Sequence, residues 1–159
     1  MNKLNKYQKI FVFSILVVAA IALLDIFSMN SGVFGTASNY VQGNYTAGWW
    51  NLFFKINLVM IVLISLAYYF FGKKDKSESL ALFVSSLTLW MVFGLADLLF
   101  FWFQGQSVPS VLTWLNGSYI GKLLGIIGFS QVTNIGLYLA VAIGLIVNYF
   151  LIKYLVEKL

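Results

Sequence analysis

Three ionisable side chains stand alone inside long apolar stretches: Asp25 in ALLDIF, Lys55 in FFKINL and Asp97 in GLADLL. A charge in hydrocarbon is costly, so each marks a candidate polar site. Two carboxylates that share a proton can activate water, because like charges at close range raise one proton affinity. A carboxylate beside an ammonium can instead hold an ion or a polar headgroup, or clamp two helices together. Other chemistries are closed to this chain. It contains no cysteine and no histidine, and all ten of its basic residues are lysine. Disulfides, thiolate nucleophiles, Cys/His metal centres, haem ligation by His or Cys and imidazole bases are therefore excluded. No metal or cofactor is expected.

Spacing along each helix extends the site. Asp97 shares a face with Trp90, Phe93, Gly94 and Phe101, Lys55 with Asn51, and Asp25 with Ile21 and Ser28. Counted from the ends of their apolar runs at 1.5 Å per residue, all three charges sit roughly 6–9 Å inside the same boundary. Gln131, Asn134 and Tyr138 form a polar stripe at comparable depth. The ligand-binding or ion-pair candidates are thus Asp25, Lys55, Asp97, Asn134 and Tyr138, capped by Trp49 and Trp102 and opening outward. Asp97 is expected to pair with Lys55 or to hydrogen-bond Asn134. A structural clamp, or a Lys55 that reaches for the headgroups, accounts for the same residues.

Composition defines the scaffold. The 159 residues are 61% hydrophobic and only 9% charged, against about a quarter charged in soluble domains. Lipid must solvate much of such a chain. Four apolar runs, at about 10–29, 49–71, 80–103 and 131–156, match the roughly 20 helical residues that cross a bilayer. They lack the alternation of barrel strands. The expected fold is an all-α integral membrane protein, a four-transmembrane-helix bundle forming one domain over residues 1–159. The first run is long enough to be an uncleaved anchor, although its lysine-flanked start looks signal-like. Lysines precede the first run, fill the 72–79 link and end the chain, which places both termini and that link in the cytoplasm of a multi-pass cell-membrane protein.

Outer loops then cover 30–48 and 104–130. In the second, Pro109 can open a short helix through SVLTWL, and Gly117, Gly121 and Gly125 recur every four residues in a segment too short to span. A short interfacial or re-entrant helix is expected there. Gly136, Ala140 and Gly144 make a small-residue stripe that can seat a neighbouring helix, with Asn148 placed to hydrogen-bond across the contact.

Three functional classes compete. Size, four helices, cytoplasmic termini and outer-side aspartates are similar to lipoprotein signal peptidases. Phe93-Gly94-Leu95-Ala96-Asp97 resembles that family's Phe-Asn-x-Ala-Asp signature. The resemblance implies an intramembrane aspartyl peptidase using Asp25 and Asp97. Gly replaces the Asn, however, the string lies on helix 3 instead of opening helix 4, and the family's Gly-Asn-x-x-Asp element is missing. A small transporter or channel subunit is the second class, but four helices leave little room for an internal repeat and no helix is broken by Pro near a midplane site. The favoured class is a membrane-complex subunit, or a bundle that binds lipid or a small ligand at an outward-facing polar site, with no evident catalytic motif. Its partners are the lipid bilayer and either another membrane protein or a second copy of the chain. The lysines do not interleave with aromatics on a soluble face, so nucleic acid is not an expected partner.

Overall fold

The computed structural model describes residues 5–30, 47–72 and 75–159, leaving aside the side chains of 29–30 and 47–52. Most of the predicted loop 30–48, the lysines Lys3, Lys73 and Lys74, and the side chains of Trp49 and Asn51 lie outside the described residues. What is described is helical. In chain order the elements are α1 (Lys6–Asn30), α2 (Ala47–Phe71), α3 (Lys76–Met91), α4 (Leu95–Phe103), a 3₁₀ turn (Thr113–Leu115), α5 (Tyr119–Ile126) and α6 (Asn134–Lys158). Among the described residues no strand forms, only one isolated bridge between Val111 and Thr133.

α1, α2 and α6 are each long and apolar enough to cross a membrane, whereas α3 and α4 meet that test only as a pair bent by 68°. The chain therefore carries three candidate spans, or four if the bent pair counts as one. The exterior supports lipid as the solvent. Leu16, Phe27, Val59, Leu63, Phe70, Ile146 and Phe150 are each more than half exposed, a density of apolar surface foreign to water-soluble monomers.

α3 is the central element, packed against α1, α2 and α6. Its start is fixed by Asp75, whose carboxylate accepts from the Ser77 hydroxyl at 2.7 Å and from the Ser77 and Glu78 amides at 2.9 and 3.3 Å. That cap, led by the Ser77 hydroxyl, holds the Asp75 carboxyl below its usual range. At the same end Tyr68 donates to Glu78 at 3.0 Å and Tyr7 donates to Glu157 at 3.1 Å. Ile10, Ala81, Leu82, Ile152 and Val156 form a small core beside them. Both described termini and the α2–α3 link thus lie at one end of the bundle, the end that carries Lys6, Lys9, Lys76, Lys153 and Lys158.

Polar side chains tie the helices together inside. Asn148, fully buried, accepts from Thr88 Oγ1 at 2.6 Å and donates to the Gly144 carbonyl at 2.8 Å. The small-residue stripe of α6 does seat neighbours: a Cβ on Gly144 would collide with the Phe93 ring, and one on Gly136 would come within 3.0 Å of Leu124. In a double-mutant cycle of Thr88→Val and Asn148→Leu, measured by unfolding in micelles, the coupling is expected at about 0.6–1.7 kcal/mol, the range for interhelical hydrogen bonds in lipid. Strict additivity would show that the pair contributes nothing.

Two predicted elements are corrected. The run predicted as one helix over 80–103 is broken at Val92–Gly94. Gly94 adopts φ 69°, and its backbone is crowded by Ile120 and by Leu137, which a Cβ would meet at 2.8 Å. Only glycine tolerates both demands. Pro109 opens no helix. After a bend at Ser110, Val111 bridges Thr133, the Leu112 amide donates to Val132 O at 2.8 Å and Asn134 N donates to Ser110 O at 3.3 Å, so that only the 3₁₀ turn Thr113–Leu115 forms within SVLTWL. This pairing delays α6 until Asn134, with Thr133 Oγ1 capping Gly136 N at 3.1 Å. The short helix expected between the last two spans exists as α5. Its glycines make no seam, however: Gly117 and Gly125 face open space, and Gly121 meets only the backbone of Leu115 and Asn116.

Candidate functional site

Gly94 does more than end α3. By turning the chain it makes Asp97 the first-turn acid of α4, where unpaired amides favour negative charge. The indole N–H of Trp114 is the side-chain donor to the Asp97 carboxylate, and the main-chain amide of Asp97 itself lies close to it. Trp114 is held on the 3₁₀ turn and packs near Phe101, with ring centroids 6.3 Å apart. Asp97 is therefore a carboxylate that finds donors in the protein itself, while its burial works against its charge.

Asp25 is different. It lies on α1, where Ser28 Oγ donates to its main-chain carbonyl at 2.8 Å. Its Oδ1 is buried and accepts no hydrogen bond. An unsatisfied buried carboxylate oxygen is expensive and calls for a proton or a cation.

Asp25 and Asp97 wall the same cavity, of about 370 Å³, at the end of the bundle remote from the clustered lysines. α1 supplies Ile21, Ala22 and Asp25, α2 supplies Phe53 and Phe54, and α3 supplies Trp90 and Met91. Ala96 and Asp97 of α4, with Trp114, Leu115, Ser118, Tyr119 and Ile120, complete the lining. Phe54 and Trp90 stack with centroids 5.6 Å apart and an interplanar angle of 25°. The site is thus two carboxylates in an aromatic box. A recess of about 420 Å³ between α2 and α3 is bordered mainly by apolar side chains and has no carboxylate.

The other predicted candidates stand elsewhere. Lys55 is exposed on α2, because α2 turns Asn57, Ile61 and Ser65 inward at four-residue intervals and Lys55 falls off that face. It does not line the cavity, and the expected Lys55–Asp97 pair is replaced by Trp114. Asn134 stands at the start of α6, its Oδ1 accepting from Ile135 N at 2.8 Å, and it does not line the cavity. Tyr138 is 43% exposed, since the buried face of α6 runs through Leu137, Ala140, Val141 and Gly144. Trp102 also points outward, at 56% exposure. The sequence reading did not include Phe53, Phe54, Trp114 or Tyr119 in the site. One signal for the geometry was available: a glycine three residues before an acid is a helix-start pattern, and it lies in GLAD. Nothing local marks Trp114.

The chain matches no known protein family, no curated protein and no solved structure.

Proposed function

We propose that this chain is a four-span membrane bundle that binds a lipid or small ligand in an outward-opening site between Asp25 and Asp97. The observation that carries the reading is the aromatic cavity walled by both carboxylates, one of which has a buried oxygen that accepts no hydrogen bond. The bent pair α3–α4 serves as the third span, and the lysine-bearing end faces the cytoplasm, in keeping with the positive-inside rule. Sites of this kind are concave, largely apolar and fitted with a few convergent polar groups.

A cysteine-free chain makes the orientation easy to test. In intact cells a membrane-impermeant maleimide should label Gln106→Cys and Ser130→Cys, and label Leu159→Cys only after lysis; the opposite pattern overturns the orientation. Occupancy is tested by native mass spectrometry of protein extracted with its own lipids. Wild type should retain an adduct of constant mass that Asp25→Leu/Asp97→Leu, folded by thermal melt, does not. Equal adducts in both would remove the site.

One observation favours a second reading, an aspartyl hydrolase: the two aspartates lie on one cavity. No hydrogen bond joins them among the described residues, as a shared proton would require. Catalysis would demand both carboxylates, whereas binding tolerates loss of one.

A further inference from the structure

The charge inventory of the whole chain narrows the ligand. It has five carboxylates. Three are accounted for at the lysine-bearing end, where Asp75 caps α3 and Glu78 and Glu157 accept from tyrosines. The remaining two, Asp25 and Asp97, wall the cavity. Cations are scarce there. Between residues 10 and 72 the sequence holds one lysine, Lys55, and between 77 and 152 one more, Lys122. Lys55 is exposed on α2 and does not line the cavity. Lys122 is exposed too, its Nζ resting over the Tyr119 ring at 5.5 Å. Residues 31–52 contain no basic residue at all, so that stretch has no charge to give. Among the described residues the two carboxylates thus wall one cavity, and no cation lines the space between them.

Resting on the ligand-binding reading above, we infer that the cavity takes an organic ammonium group, with Asp25 as its direct counter-ion and the aromatic rings as its walls. Asp97 provides a second carboxylate on the same wall, beside Trp114 and at the start of α4. The alternatives fit less well. An anion would meet two carboxylates. A hard metal ion wants six or more oxygen ligands at close range, and the lining offers few oxygens among mostly apolar side chains. A neutral guest without a hydrogen-bond donor would leave Asp25 Oδ1 to be satisfied by a proton instead of a cation. An alkylated ammonium sheds water easily and is attracted to the faces of Trp, Tyr and Phe. Trp90, Phe54 and Tyr119 present such rings, and Lys122 already rests on one of them.

The same chemistry is carried by a free organic amine and by a choline or ethanolamine headgroup. Binding of benzyltrimethylammonium to the purified full chain in maltoside micelles, measured by titration calorimetry against empty micelles, tests the proposal and separates the two sources. Its neutral carbon isostere, neopentylbenzene, and benzenesulfonate are the comparison probes. The cation should bind, the sulfonate should not, and the isostere should bind at least about tenfold more weakly, the scale for one desolvated charge pair. Asp25→Asn should remove that preference. Trp90→Leu should weaken the cation by about 3- to 30-fold, the range for a desolvated cation–π contact, and serves alone if Asp25→Asn fails to fold. Displacement of the cation by added phosphatidylcholine assigns a lipid headgroup; no displacement assigns a free amine. Equal binding of cation and isostere, unaffected by Asp25→Asn, overturns the ammonium assignment while leaving a ligand cavity. Binding of none of the probes overturns the ammonium assignment, and with the adduct also lost the cavity reading falls with it.

Discussion

Gly94→Val is expected to lower the stability of the bundle by about 2–5 kcal/mol, summing roughly 1–2 kcal/mol for a left-handed backbone and 1–3 kcal/mol for overpacking. Both costs are visible at this position, where φ is 69° and an added Cβ would strike Ile120 and Leu137. Gly105 is the internal control. It has nearly the same backbone, φ 65°, but open space around it. Gly105→Val should therefore cost only the conformational part, about 1–2 kcal/mol. Denaturant unfolding in micelles compares the two. Equal losses would show that Ile120 and Leu137 move aside freely, and that the bend is not clamped by packing. The substitution also bears on the site, because the same glycine sets where α4 starts and hence where Asp97 stands.

Asp97→Asn should lower stability and Asp25→Asn should not, although their side chains share one cavity. Asp97→Asn weakens a charge-assisted bond from Trp114 and an interaction with the α4 N-terminus, a loss of about 1–3 kcal/mol. Asp25 Oδ1 has no donor to lose, and neutralising a carboxylate with a buried, unbonded oxygen relieves its burial cost. Asp25→Asn should leave the melting temperature of the empty protein unchanged or raised. A retained group whose removal stabilises the fold is the usual mark of a working site. A large loss for both would instead mean that Asp25 holds the bundle together. Trp114→Phe should reproduce most of the Asp97→Asn effect if the indole is the donor that matters; a silent Trp114→Phe would shift the credit to the helix terminus.

Much of the architecture was legible because long apolar runs obey simple rules. Long apolar runs had to be helices, and the ends of α1, α2 and α6 fell within a few residues of the expected limits. Gly136, Ala140 and Gly144 with Asn148 were legible as a helix seam, since close approach needs small residues and an amide inside a span needs a partner. The interruption at Gly94 was not, because the surrounding string is as apolar as a continuous helix and the glycine's left-handed backbone is fixed by Ile120 and Leu137, which lie far along the chain. The misplacement of Lys55, Asn134 and Tyr138 has a related cause. Depth can be counted from a sequence, but rotation about the helix axis is set by packing. For α2 that rotation follows Asn57, Ile61 and Ser65, and for α6 it follows the glycine stripe. Of the five candidates, the two short carboxylates faced the cavity and the three with other options did not.

The shortness of α3 has an electrical consequence. Its 16 residues span roughly 24 Å at 1.5 Å per residue, and beyond it the chain folds sideways into α4 over an aromatic recess. In the proposed orientation that recess admits solvent below the membrane surface, so the transmembrane voltage falls across a thinner insulating layer there than around the perimeter. A cation moving from the exterior to Asp25 would cross part of that drop. A full crossing is worth about 2.3 kcal/mol per charge at 100 mV, so a quarter of the drop is worth roughly 0.6 kcal/mol, or nearly threefold in occupancy. The polarisation of the cell would then tune how full the site is, with an inside-negative potential drawing the ligand in.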